Sequence, residues 1–176
     1  MDIFTALHTR RSIRTYTNEP VGREAVEQLL DAAMIAPSAG NARPWQFVVV
    51  DDAEQLKKVP DINPYAAMAV KAPLGIVVCG DPSVEKYPGF WVQDCAAAVQ
   101  NLLLAATGLG LGAVWTGIYP VEGRVQGFRE LLGLPASLVP LALVVVGHHE
   151  GKPERKSRFE AAKVHYNRFG TGYSIS

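Results

Sequence analysis

From Cys95 to Val121 the chain carries no charged side chain, and that run constrains the fold more than any other stretch. A membrane span needs about twenty uninterrupted apolar helical residues. Here Gln100 and Asn101 interrupt the run, and Gly108, Gly110 and Gly112 break it. It therefore reads as a buried helix, from about Phe90 to Thr107, followed by a buried strand, LGAVWTG, at 111–117. The helix is apolar nearly all round (Ala96, Ala97, Ala98, Leu102, Leu103, Leu104), so it must be covered on every side. A chain of 176 residues seldom has enough layers to do that alone, which points to a second copy supplying part of the cover.

The remaining elements alternate around this pair. DIFTALHT (2–9) reads as a short helix with Ile3, Phe4 and Leu7 at helical spacing. Residues 23–36 carry Val26, Leu29, Leu30 and Ala33 as one stripe, and Pro37 ends the helix. WQFVVV (45–50) and LGIVVC (74–79) read as strands, the second closed by Gly80-Asp81-Pro82. Residues 51–72 read as short helical pieces broken by Pro60 and Pro64. Val121, Val125, Phe128 and Leu132 mark a further amphipathic helix, terminated by Gly133 and Pro135. LALVVVG (141–147) is apolar throughout, as a strand covered on both faces should be. The tail from Gly151 lacks a long apolar period. The pattern predicts one domain, 1–176, built as an α/β or α+β sandwich around one sheet.

Composition excludes several classes. Hydrophobic residues are 48% of the chain, which excludes disorder, and charged residues are only 19%, which leaves apolar surface for an interface. Seventeen basic and seventeen acidic residues create no global field for nucleic acid. Cys79 and Cys95 lie in apolar segments, and MDIFTALHT lacks a charged-then-apolar signal pattern, so a reducing cytoplasm is expected without a disulfide framework.

Four short stretches carry candidate chemistry. RRSIR (10–14) gathers Arg10, Arg11 and Arg14 around Ser12, either as a solvated turn or as a phosphate grip. In the tail, Lys156 and Arg158 stand two apart, so in an extended segment they project to one side and can clamp an anion; a solubilising tail is the alternative. PSAGNARPW (37–45) is a turn, or a small-residue approach to a ligand with Ser38 and Asn41 as polar contacts. AVWTG (113–117) ends a strand on a glycine against which a flat ring could lie. Other signals fail. The Gly108, Gly110, Gly112 spacing follows a helix and precedes a strand, the reverse of a dinucleotide loop. His148, His149 and Glu150 are consecutive and diverge, so no metal site is expected. Asp94 beside Cys95 opposes thiolate formation, and no serine–histidine–acid set stands out.

Taken together, RRSIR, PSAGNARPWQF (37–47), GLGAVWTG (110–117) and ERKSRF (154–159) with its following KVHYNR occur in family order over nearly the whole chain. They resemble the FMN-dependent nitroreductase family, in particular its short, compact branch. The resemblance implies an α+β fold, with a central mixed, mostly antiparallel sheet flanked by helices. It also implies an intertwined homodimer holding two FMN molecules at the interface. By position, Arg10, Ser12 and Arg14 would hold the phosphate, ribityl chain and pyrimidine side of the flavin, with Arg11 adding positive potential. Lys156 and Arg158 would complete the phosphate clamp. Pro37, Ser38, Ala39 and Asn41 would reach the flavin of the other subunit, and Thr116 and Gly117 would sit against the isoalloxazine near N5.

The implied reaction is a ping-pong one. NAD(P)H delivers a hydride to flavin N5 and leaves; a small acceptor such as a nitroaromatic or quinone then takes its place, with no catalytic side chain required. Tyr65, Met68, Phe90 and Trp91 would wall the substrate pocket, with apolar core as their alternative role. Two features depart from the family pattern: Thr116 stands where many members carry a glutamate, and the segment between the second and third strands is short. Flavin-destroying and dehalogenating branches also exist within the family, so a specialised flavin reaction of that kind is an alternative. A non-catalytic binder of a phosphorylated ligand or flavin is the competing class. A nucleic-acid or membrane partner is not expected, since the chain is neutral and lacks aromatic–basic interleaving.

Overall fold

The computed structural model describes residues 1–151 and 154–172. Among these, four strands form one sheet: β1 (Trp45–Val50), β2 (Leu74–Gly80), β3 (Gly112–Gly117) and β4 (Val139–Gly147). Their spatial order is β1-β2-β4-β3, and every neighbouring pair is antiparallel. The mixed character expected of the sheet is confined, among the described residues, to one parallel bridge between Ser12 and Ala113 at the outer edge of β3.

Among the described residues five α-helices surround the sheet: α1 (Ile3–Thr9), α2 (Arg23–Met34), α3 (Ala53–Ile62), α4 (Trp91–Gly108) and α5 (Glu122–Leu132). Alternation along the strands divides the core in two. Ile76, Val78, Val144 and Val146 face α2 and α4, with Leu29, Ala33, Val99, Leu102 and Ala106 from those helices. Val77, Val145, Val114 and Ile118 face the other way, onto α3, α5 and the 3₁₀ segment Pro64–Lys71, with Leu56, Val59, Ala69 and Phe128 as partners. Central β4 is covered on both faces, as its unbroken apolar run requires.

Two expectations change. Pro60 does not break the helix: it lies inside the last turn of α3, and the ladder continues past it through the Asn63 N–H to the Val59 carbonyl at 2.8 Å. The break comes at Pro64, which opens the 3₁₀ segment beneath the Asn63 cap. The apolar stripe of α1 faces outward, since Ile3, Phe4 and Leu7 are 57%, 66% and 46% exposed while Ala6 is buried. On α4 the chain leaves one side incompletely covered: Gln93 and Gly108 are exposed, and Val92, Ala96, Ala97, Gln100, Asn101, Leu104, Ala105 and Thr107 are half-buried. No helix among the described residues is long and apolar enough to cross a membrane.

Candidate functional site

The site begins where α1 stops. The Arg10 N–H caps α1 by bonding the Ala6 carbonyl at 2.9 Å, and the chain then turns extended. The RRSIR segment runs along the open edge of β3, with the Ile13 N–H donating to the Ala113 carbonyl at 3.1 Å. Parallel pairing of Ser12 with Ala113 carries Arg14 alongside Trp115, toward the end of the strand. Four extended residues span about 13 Å, so the backbone sets Arg10 and Arg14 far apart along the sheet edge.

The tail docks on the start of this segment. The Lys156 N–H donates to the His8 carbonyl at 3.2 Å, and His8 Nδ1 donates back to the Lys156 carbonyl at 3.0 Å. Arg11 adds a third tie. Its guanidinium bonds the carbonyls of His8 at 3.0 Å and Arg10 at 2.6 Å, and reaches across to that of Glu154. Arg11 therefore acts as a strap joining the two ends of the chain, a more specific role than added positive potential. No ion pair among the described residues engages Arg10, Arg14, Lys156 or Arg158. Cations left without carboxylates on docked backbone suit a phosphate.

At the far end of the segment lies a cavity of about 350 Å³ lined by Arg14, Tyr65, Trp115, Thr116, Gly117 and Arg124. In β3 the odd residues turn their backbone groups away from β4, as the Ala113 bond to Ile13 shows. Gly117 shares that orientation: its carbonyl accepts from Asn63 Nδ2 at 3.2 Å and from Arg124 at 3.0 Å, and its N–H faces the same open edge. A Cβ built on Gly117 would meet nothing within 4 Å, so the strand end is open to a flat ring. Thr116 turns its hydroxyl inward to the Leu143 carbonyl at 2.9 Å, leaving only its main chain for such a ring. These features fit FMN, with its anionic phosphate at one end and its planar ring at the other. A larger cavity of about 580 Å³ borders the same segment, but Glu150 lines it, so it suits a phosphate less well.

The 37–41 loop lies at the same end of the sheet as Gly117, because Trp45 pairs with Gly80 and Gly117 with Ala142. Three strand spacings, about 14 Å, separate them within one chain. The loop is tightly built. The Ser38 hydroxyl accepts the Arg43 N–H at 2.9 Å, and Gly40, Asn41 and Arg43 adopt positive φ of 59°, 55° and 49°. Its anchor is Asp94, whose Oδ1 accepts the Ala39 N–H at 2.9 Å while the buried Oδ2 has no hydrogen-bond partner among the described residues.

Of the four expected pocket walls, Tyr65 lines the cavity with the motif residues. Phe90 is exposed and packs edge-on against Tyr87. Met68 packs on the α3–α5 side of the core. Trp91 is a core residue rather than a wall: it is 6% exposed, because Gly80 has no side chain and the indole lies directly against its backbone. Asn63 and Arg124 escaped the sequence reading, and Asp94 entered it only as a neighbour of Cys95, since each is a single polar residue outside any motif. The cysteines take no part; burial pushes the thiols of Cys79 and Cys95 up to about 12 each. Among the described residues there is no group of three or more His, Cys, Asp or Glu that could hold a metal.

A sheet edge that carries basic segments from both chain ends at one side and an open glycine-ended strand at the other suits a nucleotide coenzyme. The comparisons narrow that class: the model of the nitroreductase family matches residues 7–75 and 66–148, and this chain belongs to that family. A relative from Methanothermobacter thermautotrophicus is 48% identical over 169 residues, covering 96% of this chain and 88% of its own; its name pairs NADH dehydrogenase with NAD(P)H nitroreductase. The solved FMN-dependent nitroreductase from Clostridium difficile superposes with a TM-score of 0.85 at 31% identity, covering 93% of this chain and 98% of that one. A Desulfovibrio desulfuricans nitroreductase solved in complex with FMN gives 0.81 at 32% identity, covering 96% and 98%. The α+β fold is thus that of the nitroreductases.

Proposed function

We propose that the chain is an FMN-dependent oxidoreductase that works as a homodimer. The observation that carries this reading is the docking of the tail at residues 154–156 onto His8 and Arg11, which brings the basic segments of both chain ends together beside the open edge of β3. The chemistry FMN supplies when bound is the passage of two electrons from NAD(P)H to a small acceptor, such as a nitroaromatic or quinone. Arg10, Lys156 and Arg158 hold the phosphate, and Ser12 lies beside the ribityl chain. Arg14 sits on the pyrimidine side, where its charge stabilises the negative charge that develops on reduction. The Gly117 N–H at the strand edge faces the ring near N5.

Pro37, Ser38, Ala39 and Asn41 serve the flavin of the other subunit. Their 14 Å offset within one chain supports this, as does the apolar surface of Met1, Ile3, Phe4, Leu7, Met34 and Ile35, which α1 and the end of α2 leave exposed. Such a surface next to the uncovered strip of α4 suits an obligate interface.

The test has two parts. Loaded with FMN, the protein should oxidise NAD(P)H in the presence of menadione or nitrofurazone, with parallel-line kinetics when both substrates are varied. Light scattering should give twice the mass of one 19.0 kDa chain. An FMN-loaded dimer that oxidises neither NADH nor NADPH with any acceptor would favour the non-catalytic binder.

A further inference from the structure

Building on the flavin reading, we propose that Arg124 anchors a carboxylate carried on the ring of a planar acceptor, so that the site prefers aromatic or quinoid acids over neutral rings. Arg124 enters the cavity from the first turn of α5, while Arg14 enters from the RRSIR segment. Two arginines therefore line a space of about 350 Å³ to which no carboxylate among the described residues contributes. Arg14 has its place on the cofactor. Arg124 does not belong to any motif that binds it.

The guanidinium of Arg124 is held in position rather than neutralised. One N–H bonds the Gly117 carbonyl at 3.0 Å, and the group sits 5.3 Å from the centroid of the Tyr65 ring, a cation–π distance. Among the described residues it has no other hydrogen-bond partner and no ion pair, which leaves the rest of its planar fork available. A cap for the Gly117 carbonyl is an insufficient reason for an arginine here, because Asn63 already donates to that oxygen at 3.2 Å. A rigid, stacked fork with spare donors matches a carboxylate in two-pronged fashion.

Position selects the source of the anion. Arg124 is tied to the carbonyl of the residue whose N–H faces the reactive edge, so its ligand lies within a few bonds of the reacting ring. A carboxylate on the acceptor ring meets that requirement. The 2′-phosphate of NADPH, at the adenosine end of a long molecule, does not.

The test titrates 4-nitrobenzoate and 4-nitrobenzamide into oxidised, FMN-loaded protein without NAD(P)H, following the flavin absorbance. The two probes match in shape and differ in charge. Wild type should bind the acid about tenfold more tightly than the amide, the effect of one partly screened charge-assisted bond pair. In Arg124→Gln that ratio should collapse toward one, and Arg124→Lys should restore part of it. Equal binding of the two probes by wild type, or an unchanged ratio in Arg124→Gln, overturns the anchor. So does a variant that weakens NADPH relative to NADH while keeping the acid-to-amide ratio. If wild type fails to take up FMN in the loading step, the flavin reading itself falls, and the anchor with it.

Discussion

Replacing Arg10 with alanine should separate FMN from riboflavin. Arg10 is half-buried at the end of α1, and its backbone is fixed on both sides, by the Ala6 carbonyl at 2.9 Å and the Arg11 guanidinium at 2.6 Å. The fold has thus already ordered the backbone that presents this side chain, and no ion pair among the described residues competes for it. Each charge-assisted hydrogen bond from it to a phosphate is worth about 1.5–3 kcal/mol. Losing one such bond should weaken FMN binding by about ten- to 150-fold. Riboflavin has no phosphate, so its affinity should change by no more than about twofold. Both flavins fluoresce, so quenching titrations of apoprotein measure both constants in one assay. Added salt should shrink the wild-type advantage for FMN over riboflavin, because the lost interaction is electrostatic. Equal weakening of the two flavins, or of neither, would refute the placement of the phosphate at Arg10.

Arg11→Met should also weaken FMN, by roughly tenfold, for a different reason: it loses the tie to Glu154, so the tail's cations are no longer presented. Limited proteolysis should then cut near residues 154–158 faster than in wild type. Gly80→Ala places a Cβ 2.2 Å from the Trp91 ring, and that ring sits in the core with little room to retreat. Overpacking of this kind costs about 1–3 kcal/mol, and the melting temperature should fall by about 2–4 °C for each kcal/mol. Burial holds the thiols of Cys79 and Cys95 near 12, above an ordinary 9.0. Folding therefore favours the neutral thiol: this stability is complete below pH 9 and is lost as pH rises toward 12. At pH 8 the native protein should leave Ellman's reagent colourless, and denaturant should release both thiols; native reactivity would contradict the burial.

Much of the fold is legible in the sequence because burial on two sides leaves a plain record. The central strand, β1 and α4 announce themselves as apolar runs whose lengths separate strand from helix. Pro60 misleads because a proline near the end of a helix costs little of the ladder, and the Asn63 N–H still finds Val59. Periodicity finds the stripe of Ile3, Phe4 and Leu7 but carries no information about which body covers it. In the site, the motif arginines are visible as charge clusters, whereas the role of Arg11 is not. Its partners are main-chain carbonyls, one of them at Glu154, and carbonyls leave no mark on sequence. The same blindness hides the roles of Asp94, Asn63 and Arg124, each defined by the backbone group it meets.

The visible spectrum of the purified protein, before and after incubation with FMN and desalting, bears most directly on whether the joined chain ends hold a flavin. The account predicts a yellow protein carrying about one FMN per chain, released on denaturation. A preparation that stays colourless after incubation with excess FMN would contradict it.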